Sequence, residues 1–189
     1  MKKSLITGVS LAILLAATMP LAAHAARDPI VTTSNPGPFE QDLGVPTLDD
    51  VRRATAAYHW LPMALDDGFG PFALDGGDVP TCFDHAGGGM GVHYVRNVDD
   101  VTDALDPEAM VYELDGDGGL RLVAVEYVVP EQFVENEAGD VVALPSVLGQ
   151  DFHKHSSLPL YILHAWIWEE NPQGTFADFN PAVGLCPIA

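Results

Sequence analysis

Basic residues are scarce in this chain. It has 8 Lys and Arg against 27 Asp and Glu, which gives a formal net charge of -19. Such a surface repels the phosphates of nucleic acids and of anionic membranes, so neither is an expected partner. The excess of acids is typical of a solvated surface, and it also suits cationic ligands such as divalent metals.

Long apolar runs are scarce too. After residue 25 no segment reaches the roughly 20 apolar residues that a transmembrane helix needs, so the sequence predicts no stable membrane insertion. Residues 1–25 have the pattern of a secretory signal peptide: two early lysines, an apolar core at 5–15, and small residues before a cleavage site ahead of Ala26. The alternative is an uncleaved membrane anchor. The pattern predicts an exported protein, either periplasmic or extracellular.

Only two cysteines are present, Cys82 and Cys186. In an oxidising compartment a single pair predicts a disulfide, with metal ligation or free thiols as the alternatives. The bridge would close a loop of about 100 residues, for which the chain-entropy model gives roughly 4–5 kcal/mol of stabilisation.

Established catalytic motifs are missing. The chain has no Gly-x-Ser-x-Gly, no His-Glu-x-x-His, no phosphate loop and no dinucleotide fingerprint. The glycine-rich run 87–91 lacks the preceding strand and following helix of a phosphate cradle, and its first part, 87–89, is predicted to be a flexible loop. The sequence therefore does not identify a reaction class.

The chain divides into three parts by composition. After the predicted signal peptide, residues 26–46 are rich in Pro, Ser, Thr and Asn and predict an extended or disordered leader. Residues 47–189 show no repeat and no linker, so they predict a single domain. Thr47 is the expected N-cap of an amphipathic helix that runs to about Leu65, with Pro62 as the place where it kinks or ends early.

Four later stretches have the composition of β-strands. They cover about 90–96, 110–114, 120–129 and 160–169, with a glycine-rich hairpin turn at 115–119 and a long connection at 131–157. One helix packed on a mainly antiparallel sheet of about four strands predicts an α+β fold.

Three ionisable residues interrupt these apolar strands: His93, Glu126 and His164. A carboxylate in an apolar environment costs several kcal/mol unless it is paired, protonated or bound to a metal. If the last two strands are antiparallel neighbours with Pro130 opposite Leu160, then Glu126 lies directly opposite His164. His93 joins them if its strand flanks the same face.

Two histidines and one carboxylate are the ligand set of several zinc enzymes and of non-haem iron sites. The pattern predicts a metal site made by His93, Glu126 and His164, with zinc or copper as the ion and His85 as a further candidate ligand. His153 and His155, in the long connection, are weaker candidates. Two alternatives stay open: a metal-free site with Glu126 as catalytic base, and a structural Glu–His pair that fixes the register of the sheet.

Aromatic residues near the same strands allow a different function. Strict alternation places Trp166 and Trp168 on the face of His164, and Leu122 and Ala124 on the face of Glu126. Together with Tyr127, the two tryptophans are predicted to line an apolar pocket, as in a small-molecule binding module.

The strings Gly-Met-Gly-Val-His-Tyr (89–94), Leu-Val-Ala-Val-Glu-Tyr (122–127) and Leu-His-Ala-Trp (163–166) resemble an uncharacterised family of small secreted bacterial proteins. The resemblance covers roughly residues 47–187. It implies a common fold and the same three strand positions for the ionisable residues, and it implies no activity.

Overall fold

A computed structural model of the chain describes residues 44–74, 77–78 and 82–186. All of them belong to one compact unit, Asp42–Ala189. The predicted signal peptide and most of the predicted leader lie outside the described residues. Within the described ranges, no helix is both long and apolar enough to cross a membrane.

The helical segment contains two α-helices instead of the single helix that the periodicity predicts. Helix α1 covers Leu48–Thr55, a 3₁₀ turn covers Ala56–His59, and α2 covers Leu61–Asp66. Thr47 caps α1 in a capping box, as its sequence position predicts. Pro62 lies in the first turn of α2, where a missing N–H costs nothing, so it begins a second helix and does not kink a longer one.

After the two helices, the elements in chain order are β1 Ala73–Leu74, β2 Gly77–Asp78, β3 Cys82–His85, β4 Gly88–Val95, β5 Ala109–Leu114, β6 Leu120–Pro130, α3 Glu131–Val134, β7 Ser146–Val147, β8 Gln150–Asp151, β9 His153–Lys154 and β10 Leu160–Ala165. Among the described residues, the main sheet has six antiparallel strands in the order β3-β4-β5-β6-β10-β9. The predicted α+β class is confirmed. The sheet has two strands more than expected, because the short strands β3 and β9 pair with its edges.

The pairing of β6 with β10 has the predicted register. Pro130 lies opposite Leu160, and Glu126 lies opposite His164. Strand β10 ends at Ala165, earlier than the composition predicts, because the backbone N–H of Trp166 donates to the carbonyl of Thr175 at 2.8 Å. The chain therefore leaves the sheet one residue after His164, which lies opposite Glu126.

The two faces of the sheet have different partners. Helices α1 and α2 cover one face, where Val51 and Ala64 share a buried cluster with Tyr112 and other side chains of the sheet. The Tyr112 hydroxyl also donates to the carbonyl of Tyr58 at 2.7 Å. We call this the helix face, and we call the opposite face, which carries His93, Glu126 and His164, the site face.

A β-bulge in β6 overturns part of the predicted alternation. Val111 of β5 pairs with Ala124, and the next residue, Tyr112, pairs with Leu122, so Val123 is an extra residue. Leu122 consequently packs in the cluster of the helix face, and Ala124 belongs to another cluster. Strict alternation wrongly placed Leu122 on the face of Glu126, since it takes no account of an inserted residue.

A second bulge lies in β4. Phe83 pairs with Gly91 and Asp84 pairs with Gly89, which leaves Met90 as the extra residue. Gly91 has φ +96°, and a Cβ added there would lie 2.7 Å from Val111 Cγ1 and 2.8 Å from the Tyr112 carbonyl oxygen. Only glycine fits this close approach.

Of the three glycines before Met90, which the composition predicts to be a flexible loop, Gly87 lies in a turn and Gly88 and Gly89 belong to a strand. Strand β4 begins at Gly88, and Gly89 forms a bridge with Asn180 in the C-terminal segment. A Cβ at Gly89 would lie 2.3 Å from the carbonyl oxygen of Gly184. These glycines let a distant piece of backbone pack directly on the strand.

The predicted disulfide between Cys82 and Cys186 is present. It links β3, at the edge of the sheet, to the C-terminal segment, across a sequence separation of 104 residues. The Cys186 N–H also donates to the carboxylate of Asp84 at 2.9 Å. Disulfides of this kind form in oxidising compartments.

Replacing both Cys82 and Cys186 by Ser is expected to lower the free energy of unfolding by about 4 kcal/mol, because the unfolded chain regains the entropy of a loop of about 100 residues. Urea unfolding measures the change, and reduction of the wild-type protein should produce a similar shift. An unchanged urea midpoint in both experiments would show that the bridge does not stabilise the fold.

Gly91→Ala is expected to lower the free energy of unfolding by about 2–4 kcal/mol, because the new methyl group meets the backbone of β5 at a positive φ. Gly116→Ala is the matched control, since nothing lies within 4 Å of a Cβ at that position. Thermal and urea unfolding of the two variants test the difference. Equal stabilities would contradict the close packing at Gly91.

Candidate metal centre

Three strands deliver the three ionisable side chains to one point. His93 comes from β4, Glu126 from β6 and His164 from β10. Strand β5 separates β4 from β6 and places Ala109 opposite Glu126. Because Ala109 carries only a methyl group, the longer side chains of the strands on either side can meet above it.

The carboxylate of Glu126 lies between the two imidazole rings. Its Oε1 is 3.1 Å from His164 Nδ1, and its Oε2 is 3.5 Å from His93 Nε2. All three residues are buried, with exposures of 5%, 6% and 0% for His93, Glu126 and His164. One potential ligand atom from each residue lies within 4.8 Å of the other two.

These separations match the ligand spacing of a small metal ion. With bonds of about 2.0–2.1 Å in a tetrahedral zinc site, neighbouring ligand atoms are about 3.3 Å apart. The distances of 3.1 Å from Glu126 Oε1 and 3.5 Å from Glu126 Oε2 are near this value, and one ligand atom from each residue lies within 4.8 Å of the other two. The buried group is therefore close enough to hold a metal ion.

The contact between Glu126 and His164 is close, but it does not have the geometry of a hydrogen bond. Both ring nitrogens of His164 are buried, and neither has a hydrogen-bond partner among the described residues. A buried polar atom without a partner costs about 1–3 kcal/mol. A metal ion bound between the two side chains would supply a partner for His164.

The protonation state of Glu126 also suits a ligand. Burial alone raises the pKa of this carboxyl group, but attraction to His164 and His93 outweighs the burial and lowers the pKa to about 2. The side chain is thus a carboxylate at neutral pH. The attraction comes from protonated rings, so a bound ion would take the place of the ring protons, because metal ligands must be deprotonated.

A small cavity of about 30 Å³ lies beside Glu126 and His93. Apart from these two residues and His155, its walls are apolar, with contributions from Phe83, Met90, Val128, Leu158, Leu160 and Ile162. The bulge at Met90 explains why this side chain and His93, three positions apart on one strand, line the same cavity. A metal ion at the base would face an apolar space.

His155 lies in the wall of this cavity in a defined orientation. Its Nδ1 accepts the backbone N–H groups of Ser157 at 3.1 Å and of Leu158 at 3.0 Å. A ring that accepts at Nδ1 carries its proton on Nε2. Burial lowers the pKa of His155, which favours the neutral ring. His153, the other weak candidate in this segment, instead pairs with Asp178 at 3.0 Å on the surface.

His85 does not join the group of three. It is exposed on β3, and its Nδ1 accepts the N–H of Gly87 at 3.1 Å. Its ring lies 5.2 Å from the ring of Phe179. The structure thus places this further candidate ligand beside the loop that follows its own strand.

The three aromatic residues of the predicted pocket are not brought together. Tyr127 is buried in the cluster of the helix face. Trp166 belongs to another cluster, and its ring is stacked on His164 with 5.4 Å between centroids. Trp168 lies beyond the end of β10 and packs against the helix-face cluster. The cavity beside Glu126 is lined by other residues, and alternation failed for Trp168 because the strand ends at residue 165.

A second buried carboxyl group, which sequence reasoning missed, contrasts with Glu126. Glu108 is 4% exposed and accepts the backbone N–H of Val128 at 2.9 Å. Burial raises its pKa to about 8. Among the described residues no histidine offsets the burial here, and the raised pKa favours the protonated carboxyl group at neutral pH. The sequence feature that could have identified Glu108 as a buried carboxyl group is its position directly before the apolar strand β5.

No family model matches the chain, and neither a curated protein nor a solved structure is similar enough to match it. The resemblance to small secreted bacterial proteins therefore stays a prediction.

Glu108→Gln is expected to change the pH dependence of stability. The folded pKa of about 8 exceeds the ordinary value of 4.5, so the folded chain binds more protons between these pH values, and stability falls as pH rises through this window. Glutamine avoids this loss. The variant should match the wild type near pH 4.5 and be about 3–5 kcal/mol more stable above pH 8.

Urea unfolding at pH 4.5 and pH 9 measures the two differences. Glu137→Gln, at an exposed position, is the control and should follow the wild type at both pH values. A Glu108→Gln variant that is no more stable than the wild type at pH 9 would contradict the raised pKa.

Proposed function

We propose that the protein binds one zinc or copper ion through His93, Glu126 and His164. The observation that carries the proposal is the convergence of three buried ligand atoms, with 3.1 and 3.5 Å between the carboxylate and the two rings. We also propose that the chain is exported by its N-terminal segment. The disulfide supports this, since such bonds persist outside the reducing cytosol.

Metal binding accounts for the group better than a structural Glu–His pair does. A structural pair gains its stability from charge attraction and from well-aligned hydrogen bonds. Glu126 and His164 are close enough to attract each other, but the ring nitrogens of His164 have no well-aligned hydrogen-bond partner among the described residues. An ion would give one of these nitrogens a partner and would use the charge that Glu126 retains. Three protein ligands leave a fourth coordination position open, as in catalytic zinc sites.

A metal-free acid–base enzyme fits the site less well. A general base works best when its pKa is near the working pH. The pKa of Glu126, lowered to about 2, makes this carboxylate a weak base at neutral pH. The same low pKa is no disadvantage for a metal ligand.

The ligand set suits both proposed ions. Imidazole binds zinc and copper, and copper(II) is generally bound more tightly by a given set of ligands. Met90, in the cavity wall, offers a thioether that favours reduced copper. Competition between the two ions in one titration orders their affinities.

Protein purified without chelator is expected to contain about one equivalent of zinc or copper, or to take up one equivalent on titration. Glu126→Gln and His164→Ala should each reduce the bound metal at least tenfold, because each removes one of three ligands. His59→Ala is the control, since His59 is exposed on the 3₁₀ turn and outside the group. Elemental analysis and calorimetric titration give the stoichiometry.

The thermal transition adds a second readout. Added Zn²⁺ should raise the melting temperature of the wild type and of His59→Ala, because an ion that binds only the folded state stabilises it. Glu126→Gln, nearly the same size as the native residue, should remain folded and show no such rise. A folded wild type that takes up neither ion would overturn the metal site.

A further inference from the structure

We propose that a cleft between the two edges of the main sheet binds a small organic ammonium ion with an apolar body. Strands β3 and β9 are the edge strands of this sheet, and residues of both line a cavity of about 320 Å³, which we call the edge cleft. His93, Glu126 and His164 do not line it. The inference therefore goes beyond the metal site and does not depend on it.

The curvature of the sheet creates the edge cleft. Although β3 and β9 stand at opposite ends of the strand order, the ring of Phe83 on β3 lies 5.9 Å from the ring of His155, directly after β9. The buried side chains of Met90 and Ile162 contribute the apolar part of the lining. A volume of about 320 Å³ lies near the lower end of the range for small-molecule sites. The cleft has room for a ligand with one ring or a short branched chain.

Aromatic rings form much of the lining. Phe83 packs against His155, and on the same cleft the ring of Phe179 lies 5.2 Å from the ring of His85. The face of a phenyl ring attracts a cation and also contacts apolar groups. His155 accepts two backbone N–H groups at Nδ1 and burial lowers its pKa, so its ring stays neutral and does not repel a cation. This lining favours a cation that carries an apolar group.

The basic residue of the edge cleft does not make the cleft positive. Among the described residues, Lys154 is the one Lys or Arg in the lining. Its Nζ lies 3.1 Å from a carboxylate oxygen of Glu131 and 2.9 Å from one of Glu135. Two negative charges thus outweigh the single positive charge of Lys154, and an anionic ligand would have to displace them.

Asp84 supplies the negative charge that a ligand cation would pair with. Its carboxylate accepts the N–H of Cys186 at 2.9 Å, and no Lys, Arg or His of the described chain forms an ion pair with it. Asp178 also lines the cleft but is already paired with His153 at 3.0 Å. An ammonium ion would give Asp84 a charged hydrogen-bond donor, and the net charge of -19 would draw that ion to the surface.

The selectivity of the edge cleft can be measured by calorimetric titration of the purified protein near neutral pH. Benzylamine, protonated under these conditions, should bind in a saturable manner. Benzyl alcohol has nearly the same shape without the charge, methylamine has the charge without the ring, and benzoate has the ring with the opposite charge. We expect each of these three to bind at least about fivefold more weakly, because each lacks a contact to the carboxylate or to the rings. Equal binding of any of them, or no binding of benzylamine, would overturn the proposal.

Asp84→Asn tests the charge, because asparagine keeps an oxygen that can accept the N–H of Cys186. The variant should bind benzylamine about twofold to fivefold more weakly, as expected for an ion pair with an exposed carboxylate, and bind benzyl alcohol like the wild type. Asp117→Asn removes the same charge from an exposed turn outside the cleft and should keep the wild-type affinity. Equal losses in both variants would show that only the overall charge matters, and would overturn the proposal.

Phe179→Leu tests the rings, because leucine keeps the apolar bulk and removes the aromatic face. We expect benzylamine to bind about twofold to fivefold more weakly, and benzyl alcohol to be affected less, since only the cation gains from the ring face. Phe133→Leu, at an exposed position outside the cleft, is the matched control. A folded Phe179→Leu variant with unchanged affinity for benzylamine would show that the cation binds elsewhere.

The metal site and the edge cleft can be tested separately. Glu126→Gln should bind benzylamine with the wild-type affinity, because Glu126 does not line the cleft. Loss of benzylamine binding in this variant would place the cation at the metal site and overturn the proposal. A wild type that takes up no metal but binds benzylamine would contradict the metal site alone. The comparison of the four ligands needs no variant, so it decides the matter even if a variant does not fold.

Discussion

The buried charge of Glu126 is the constraint on which the rest of the structure depends. The carboxylate stays ionised only because His93 and His164 face it from two other strands. Leaving such a charge without partners costs roughly 3–5 kcal/mol. A slip of one residue between β6 and β10 would turn Glu126 or His164 to the opposite face. The site can therefore form only when β6 and β10 pair in the correct register.

Two bulges adapt the regular sheet to this requirement. The extra residue Met90 brings the cavity wall and His93 to the same side of β4, although the two are three positions apart. The extra residue Val123 turns the start of β6 toward the helices while Glu126 keeps its place on the site face. The free carbonyl of Val123 accepts the N–H of Trp168 at 3.1 Å, so the bulge also positions the segment after β10. Both bulges thus shape the surroundings of the site and leave its register intact.

The sequence predicts those features that depend on local pattern. Ionisable residues within apolar strands identified His93, Glu126 and His164. Placing Pro130 opposite Leu160 in two antiparallel strands predicted that Glu126 lies opposite His164. Features set by distant backbone were not predictable. The glycines before Met90 resemble a loop until the C-terminal segment is seen to pack on Gly89. Likewise, nothing local shows that Nδ1 of His155 binds its own following backbone.

The net charge of the protein favours a cationic ligand at long range. A formal charge of -19 draws a divalent cation toward the surface, and it repels anions. At short range the apolar surroundings of Glu126 exclude water and strengthen each electrostatic contact. The carboxylate that would be costly to bury alone would therefore hold an ion firmly, so the cost of burying Glu126 and the affinity proposed for a metal have one physical origin.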